Sequence, residues 1–192
     1  MAFYLSNQKR KKIVGALVFI VVVVGLVFLF KAIAEKVSSG PATTESRIDI
    51  PEAKKTKLIN QEFTFPLKNE KGEEVGVVRY FIEQAELRDE ILVKGQKATS
   101  VKGRTFLIIN LKLANEFDRS IDINTKDYLR LSVNNNELEW LAPDIHNDPV
   151  NVQAISTKFT RVGFPINDTD KNIKLRIGEV KGEKTVIDIN FD

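Results

Sequence analysis

The sequence predicts an all-β domain, an antiparallel sandwich, preceded by one N-terminal transmembrane helix. Three observations carry that expectation. A charge-free apolar run follows a basic cluster near the start. After about residue 60 the apolar residues recur with a period of two. Turn-forming stretches then cut the pattern into seven or eight short segments, the signature of an antiparallel sandwich with one wet face per sheet.

The apolar run spans Ile13 to Phe30, and 15 of its 18 residues are Ile, Val, Leu or Phe. As a helix it would be roughly 27 Å long, close to the hydrocarbon thickness of a bilayer. Lys31 is placed to snorkel, so the span extends over residues 13–34. Lys9, Arg10, Lys11 and Lys12 lie directly before it, and the positive-inside rule keeps residues 1–12 cytoplasmic and exports the remainder. The alternative is an export signal, cleaved at Ala32-Ile33-Ala34 to release a secreted protein that begins at Glu35. The length of the run favours a retained signal anchor, since signal-peptide cores are usually about 7–15 residues long. The expected lipid contact is thus the bilayer, through residues 13–34.

Residues 35–60 mix Ser, Thr, Pro, Gly and charge, and read as a flexible stalk with little order before Ile59. The extracytoplasmic domain is assigned to residues 61–192. "QEFTFPL" puts Phe63, Phe65 and Leu67 on one face, and "VGVVRYFIEQAEL" follows as a longer strand. In "RTFLIINLKLAN", Leu107, Ile109, Leu111 and Leu113 alternate with Asn110 and Lys112. "DYLRLSV" alternates Leu129, Leu131 and Val133 against Tyr128, Arg130 and Ser132. "NNNE" reads as a hairpin turn, from which "LEWL" returns with Leu138 and Trp140 in the apolar phase, a position that favours core packing over a binding role. "KFTRVGFPI", "NIKLRI" and "TVIDINF" complete the set, the last with Ile187, Ile189 and Phe191 on a common face.

Three stretches in this order, Phe106–Asn115, Asp127–Trp140 and Val162–Pro165, carry a resemblance. They stand where the telokin-like, immunoglobulin-like extracytoplasmic domain family of unknown function has its "F-h-h-h-N-h-x-h-x-N", "D-F-x-L-x-x-x-N-G-x-x-Y" and "F-x-h-P" patterns, h being apolar. The chain resembles that family over about residues 75–192. It departs at Glu116-Phe117, where the family often has Asn-Gly, and at Glu137, where Gly is usual. The resemblance implies an immunoglobulin-like sandwich on a bacterial or archaeal surface, and brings no catalytic residues.

Composition excludes several chemistries. The formal charge of +3 comes from Lys9–Lys12, since 25 cations face 26 carboxylates from Lys31 onward. Such a balance lacks the field that gathers nucleic acid. The absence of Cys removes disulfides, thiolate catalysis and Cys-ligated metals. With a single His and no nucleophile motif in context, no catalytic residue and no cofactor is expected. Two acidic loops are the candidates for calcium. His146 stands beside Asp144 and Asp148 in "APDIHNDPV", a stretch that turn chemistry alone would also choose. In "DTDKNIKLRIGE", Asp168, Asp170, Asn172 and Glu179 take positions 1, 3, 5 and 12 of an EF-hand loop. Ile173 occupies the position that requires Gly, and Arg176 adds a positive charge, so the match reads as coincidence. The reading that results is a membrane-anchored, non-catalytic interaction module with an envelope or membrane protein as partner. An ion- or solute-binding surface domain is the alternative, followed by a cell-envelope hydrolase.

Overall fold

The computed structural model describes residues 48–68 and 71–191. The anchor from Ile13 to Phe30, the Lys9–Lys12 cluster, the cleavage motif and the first part of the stalk lie outside the described residues. Among the described residues no helix is long and apolar enough to cross a membrane. The strands in chain order are β1 (Lys55–Lys68), β2 (Glu74–Arg88), β3 (Glu90–Val93), β4 (Gln96–Thr99), β5 (Arg104–Asn115) and β6 (Ile121–Ile123). After a 3₁₀ turn over Thr125–Tyr128 come β7 (Leu129–Ser132), β8 (Val150–Val152), β9 (Ser156–Asn167), β10 (Ile173–Ile177) and β11 (Thr185–Ile189).

Four long strands form one sheet in the order β1-β2-β5-β9, and β11-β10-β7 form a second, all pairs antiparallel. The inward rows are those the alternation selects. Val78, Tyr80 and Ile82 of β2, Leu107 to Leu113 at odd positions of β5, and Val162, Phe164 and Ile166 of β9 meet Leu129, Leu131, Leu175, Ile177 and Ile189 in one core. Most of these side chains are fully buried. At about 1.5–3 kcal/mol for each large apolar side chain removed from water, this inter-sheet layer is the main source of stability. At one end of it Phe65, Tyr80 and Tyr128 form an aromatic cluster with centroids 4.5–5.7 Å apart. The Tyr80 hydroxyl donates to the Thr125 carbonyl at 3.2 Å, tying β2 to the 3₁₀ turn.

The structure differs from the sequence reading in three places. β1 begins at Lys55, so the strand takes in Lys55–Asn60 from the segment that composition assigned to the stalk. Lys55, Thr56, Lys57 and Asn60 are polar and Leu58 is exposed, as suits the outermost strand of the sheet among the described residues. "LEWL" is not a returning strand. Asn134 and Asn135 both take positive φ, and the chain leaves Leu138 almost wholly exposed before Leu141 forms a single bridge to Leu131. Trp140 therefore lies outside the core, half-buried and stacked on Arg176. Finally, β3 and β4 form a hairpin that the alternation did not announce.

Candidate functional site

The outward face of the four-stranded sheet follows from the register. Leu58, Gln84, Asn110 and Arg161 stand in one row across β1, β2, β5 and β9, and Glu62, Phe81, Lys112 and Phe159 stand in the next. Glu86 and Ile108 continue the face on the other side of the first row.

That face is closed at one end and open at the other. At the closed end Glu86 is buried and accepts three hydrogen bonds, from Gln84 Nε2 at 2.5 Å, Asn110 Nδ2 at 3.0 Å and Arg88 Nε at 2.5 Å. Such saturation is what a buried carboxylate requires. Arg161 sits beside this group and donates to the Leu92 carbonyl, pinning the β3–β4 hairpin over the sheet. Burial and the neighbouring Arg88 press the Arg161 guanidinium pKa downward, with Glu86 opposing. Ile91 of the hairpin is fully buried, yet not within the inter-sheet core. On β9, Gly163 pairs with Ile145 through bonds in both directions (2.7 and 3.1 Å). A methyl group on Gly163 would meet Ile108 Cδ1 at 2.7 Å and Ile145 Cβ at 3.2 Å, so glycine is needed for that approach.

The face opens along the second row and at the β1 end of the first, where Phe159 and Leu58 are each about two-thirds exposed. Between them Lys112 Nζ lies 4.3 Å from the centre of the Phe81 ring. Arg79 pairs with Glu62 at 2.6 Å and with Glu116 at 2.9 Å, forming a charged margin. The Arg79 hydrogen bond holds the Glu62 carboxyl below its usual range. An apolar, aromatic-bearing strip rimmed by charge is thus laid across rigid strands, reaching β1, the outermost strand of the sheet among the described residues.

The sequence candidates take other roles. Asp148 is buried and accepts from Thr125 N at 2.8 Å, Thr125 Oγ1 at 2.6 Å and Lys126 N at 2.9 Å. Asn124, the residue at the N-cap of the 3₁₀ turn, makes no side-chain cap of its own, and Asp148 supplies that function from the facing loop. His146 Nδ1 accepts from the Asp148 backbone N–H at 3.2 Å and stands 3.6 Å from Asp148 Oδ2. Asp144 is exposed. In the second loop Asp170 accepts from Asn134 Nδ2 at 2.7 Å and from Asn167 N at 2.8 Å, closing the turn between β9 and β10. Asp168 lies 3.8 Å from Lys54 Nζ, which pairs at 2.7 Å with Asp89 and lowers that carboxyl's pKa. The two loops flank opposite ends of β5: Asp168 bonds to Gly103 just before it, whereas Thr125, the partner of Asp148, meets Tyr80, which pairs with Leu113 near its end. At about 3.4 Å per residue that places them roughly 30 Å apart. Among the described residues no group of three or more His, Cys, Asp or Glu is arranged to hold a metal ion.

Both asparagines of the "F-h-h-h-N-h-x-h-x-N" pattern are explained by architecture. Asn110 supports Glu86, and buried Asn115 donates to the Arg119 and Gln153 carbonyls at 2.7 and 2.9 Å while accepting from Phe117 N at 3.0 Å. The open apolar strip was missed in the sequence, because Leu58 and Phe159 sit in different strands and only the register brings them to one face.

No family model matches the chain, and no curated protein matches it. Two solved structures are similar. An uncharacterised β-sandwich protein from Clostridium difficile 630 superposes with a TM-score of 0.52 at 14% identity, covering 74% of this chain and 99% of that one. A conserved hypothetical protein from Bacillus anthracis aligns over 69% of this chain and 97% of its own, at 14% identity and a TM-score of 0.46. The first likeness shows the β-sandwich fold class.

Proposed function

We propose that this chain is a membrane-anchored extracytoplasmic module that binds a protein of the cell envelope and performs no catalysis. In this reading residues 13–34 hold it in the bilayer, residues 1–12 stay in the cytoplasm, and the sandwich is of the immunoglobulin-like, telokin-like kind. The observation that carries the reading is the open strip on the four-stranded sheet, where Leu58 and Phe159 are exposed on either side of Phe81 and Lys112. Exposed aromatic and aliphatic groups on rigid strands, rimmed by charge, have the make-up of a protein-contact surface. The fixed β5 scaffold beneath them needs no rearrangement on contact.

Site-specific photocrosslinking in cells tests it. A photoreactive residue at position 159 of the full-length protein is expected to give one discrete protein adduct in the membrane fraction, and the same probe at exposed Lys181 none. Leu58→Asp is expected to abolish the adduct while leaving the protein folded. Equal labelling from positions 159 and 181, or an adduct indifferent to Leu58→Asp, would sink the proposal.

A further inference from the structure

The outward face of the three-stranded sheet has a different character. Leu129, Leu131, Leu175 and Ile177 point into the core, so Arg130 and Arg176 point away from it. The two arginines are direct cross-strand partners between β7 and β10. Like charges placed opposite each other in a sheet are destabilising, and nothing in the core explains the pairing. Neither guanidinium has a carboxylate within ion-pair distance among the described residues. Glu137, the carboxylate that acts on Arg176 from farther away, is held at 2.5 Å by Lys174.

Both groups are nevertheless fixed. Arg130 Nη1 donates to the carbonyls of Lys126 and Leu129, each at 2.7 Å, which leaves Nε and Nη2 without a partner among the described residues. The Arg176 guanidinium lies 3.6 Å from the centre of the Trp140 ring and makes no hydrogen bond there. Trp140 is itself held by Nε1 donating to the Glu137 carbonyl at 2.9 Å. A concavity of about 220 Å³ opens between these side chains, with Lys184, Tyr128 and Asp127 completing its wall. It is smaller than the ~300–1,000 Å³ of pockets that enclose drug-sized ligands. It suits one charged group rather than a whole molecule.

We infer that Arg130, Arg176 and Lys184, beside the Trp140 ring, form a binding site for a phosphate group. Among the side chains that line the concavity three cations face one carboxylate, Asp127, while Glu137, held by Lys174, and Glu179 act on Arg176 and Tyr128 from outside the lining. The positive bias at the wall suits a phosphate monoester with its charge of about −1.5 to −2 and three acceptor oxygens. Guanidinium forks are suited to bidentate contact with such oxygens, and an arginine already stacked on an aromatic ring loses little freedom on binding. The anion would also remove the repulsion between Arg130 and Arg176. The site is independent of the apolar strip and of where the domain resides.

Trp140 is the only tryptophan of the chain, so its emission reports directly on its neighbour Arg176. The full-length protein in mild detergent would be titrated with glycerol 3-phosphate at constant ionic strength set by potassium chloride. A saturable change in emission is expected, and calorimetry on the same samples gives the affinity without relying on Trp140. Arg176→Lys, which keeps the charge and loses the fork, should weaken binding at least tenfold, and so should Arg130→Gln. Arg119→Gln, a highly exposed arginine elsewhere, should change nothing. A second titration separates the sources of the group. Tighter binding per phosphate to poly(glycerol phosphate) assigns a phosphodiester polymer, and tighter binding of the monoester assigns a soluble ester. An emission change that chloride alone reproduces, a preference for succinate over the phosphate ester, or an affinity unaltered in both arginine variants would overturn the inference.

Discussion

Replacing Asp148 by Ala separates a structural carboxylate from a chemical one. The carboxylate is 2% exposed and accepts three hydrogen bonds from Thr125 and Lys126. Alanine leaves two backbone N–H groups and a hydroxyl without an acceptor at the start of the 3₁₀ turn. Each buried donor left unsatisfied costs about 1–3 kcal/mol, and loss of a cap costs about 0.5–2 kcal/mol. Water entering the vacated volume returns part of that, so the expected net loss is about 3 kcal/mol. That is roughly a hundredfold in the folding equilibrium and within the ~5–15 kcal/mol of a typical domain. Asp148→Asn should lose less, about 1–2 kcal/mol, because its amide oxygen still serves Thr125 while its NH₂ faces the Lys126 N–H. The assay is urea unfolding of the full chain in detergent, followed by Trp140 emission and circular dichroism, with the midpoint compared at unchanged slope. If the loop instead served acid–base or calcium chemistry, Asp148→Ala would keep its stability or gain from relief of burial. A loss below about 0.5 kcal/mol for Asp148→Ala, or equal losses for Asp148→Ala and His146→Ala, would refute the capping argument.

Three further outcomes follow from the same geometry. Gly163→Ala forces its methyl group against Ile108 and Ile145 and should cost about 1–3 kcal/mol, part of it recovered in Gly163→Ala/Ile108→Val; urea midpoints of both variants check this. Asn115→Ala releases the 116–120 turn and β8 together and should cost about 2–3 kcal/mol, with faster proteolysis near Phe117 in a limited digest. Burial pushes the Tyr80 phenol pKa well above 10. Above pH 10 the unfolded chain sheds that proton and the folded chain keeps it. Stability from this group is therefore complete below pH 10, then falls by about 1.4 kcal/mol per pH unit above it. Tyr80→Phe should lower stability by about 1 kcal/mol at pH 7 and flatten this alkaline limb, which melting curves between pH 7 and 11 would show.

Where burial falls on alternate residues, the sequence was legible. Leu107 to Leu113, Leu129 with Leu131, and Ile187 to Phe191 took the faces that the period of two assigned to them. A turn at "NNNE" was readable, because asparagine tolerates the positive φ found at Asn134 and Asn135, but it is not the turn of a two-stranded hairpin. The segment after it was misread, since Leu138 and Trp140 fit the apolar phase while lacking a neighbouring strand to pair with. The β3–β4 hairpin was hidden for another reason. Ile91-Leu92-Val93 is too short for a periodicity argument, and the hydrogen bond that holds Leu92 comes from Arg161, 69 positions away in the sequence, rather than from any local pattern. β6 and β8 are three residues each, below what alternation resolves. Of the candidate sites, the acidic loops were visible but their partners were not, because hydrogen bonds such as Asp148 to Thr125 are set by tertiary structure.

The hairpin pinned over the sheet also bears on time. β5 is flanked by β2 and β9, its odd residues are sealed in the inter-sheet core, and Ile108 is closed off on the opposite side. A fluctuation that lifts the hairpin uncovers only one side of the strand, and one that frays β1 leaves both neighbours of β5 in place. Solvent deuterium therefore reaches the β5 amides around Ile108 only when the whole sandwich opens. Their exchange becomes a clock for global unfolding, while the amides of β1, β3 and β4 run on faster clocks. The ratio of those rates measures how far one exposed edge moves independently of the centre it protects.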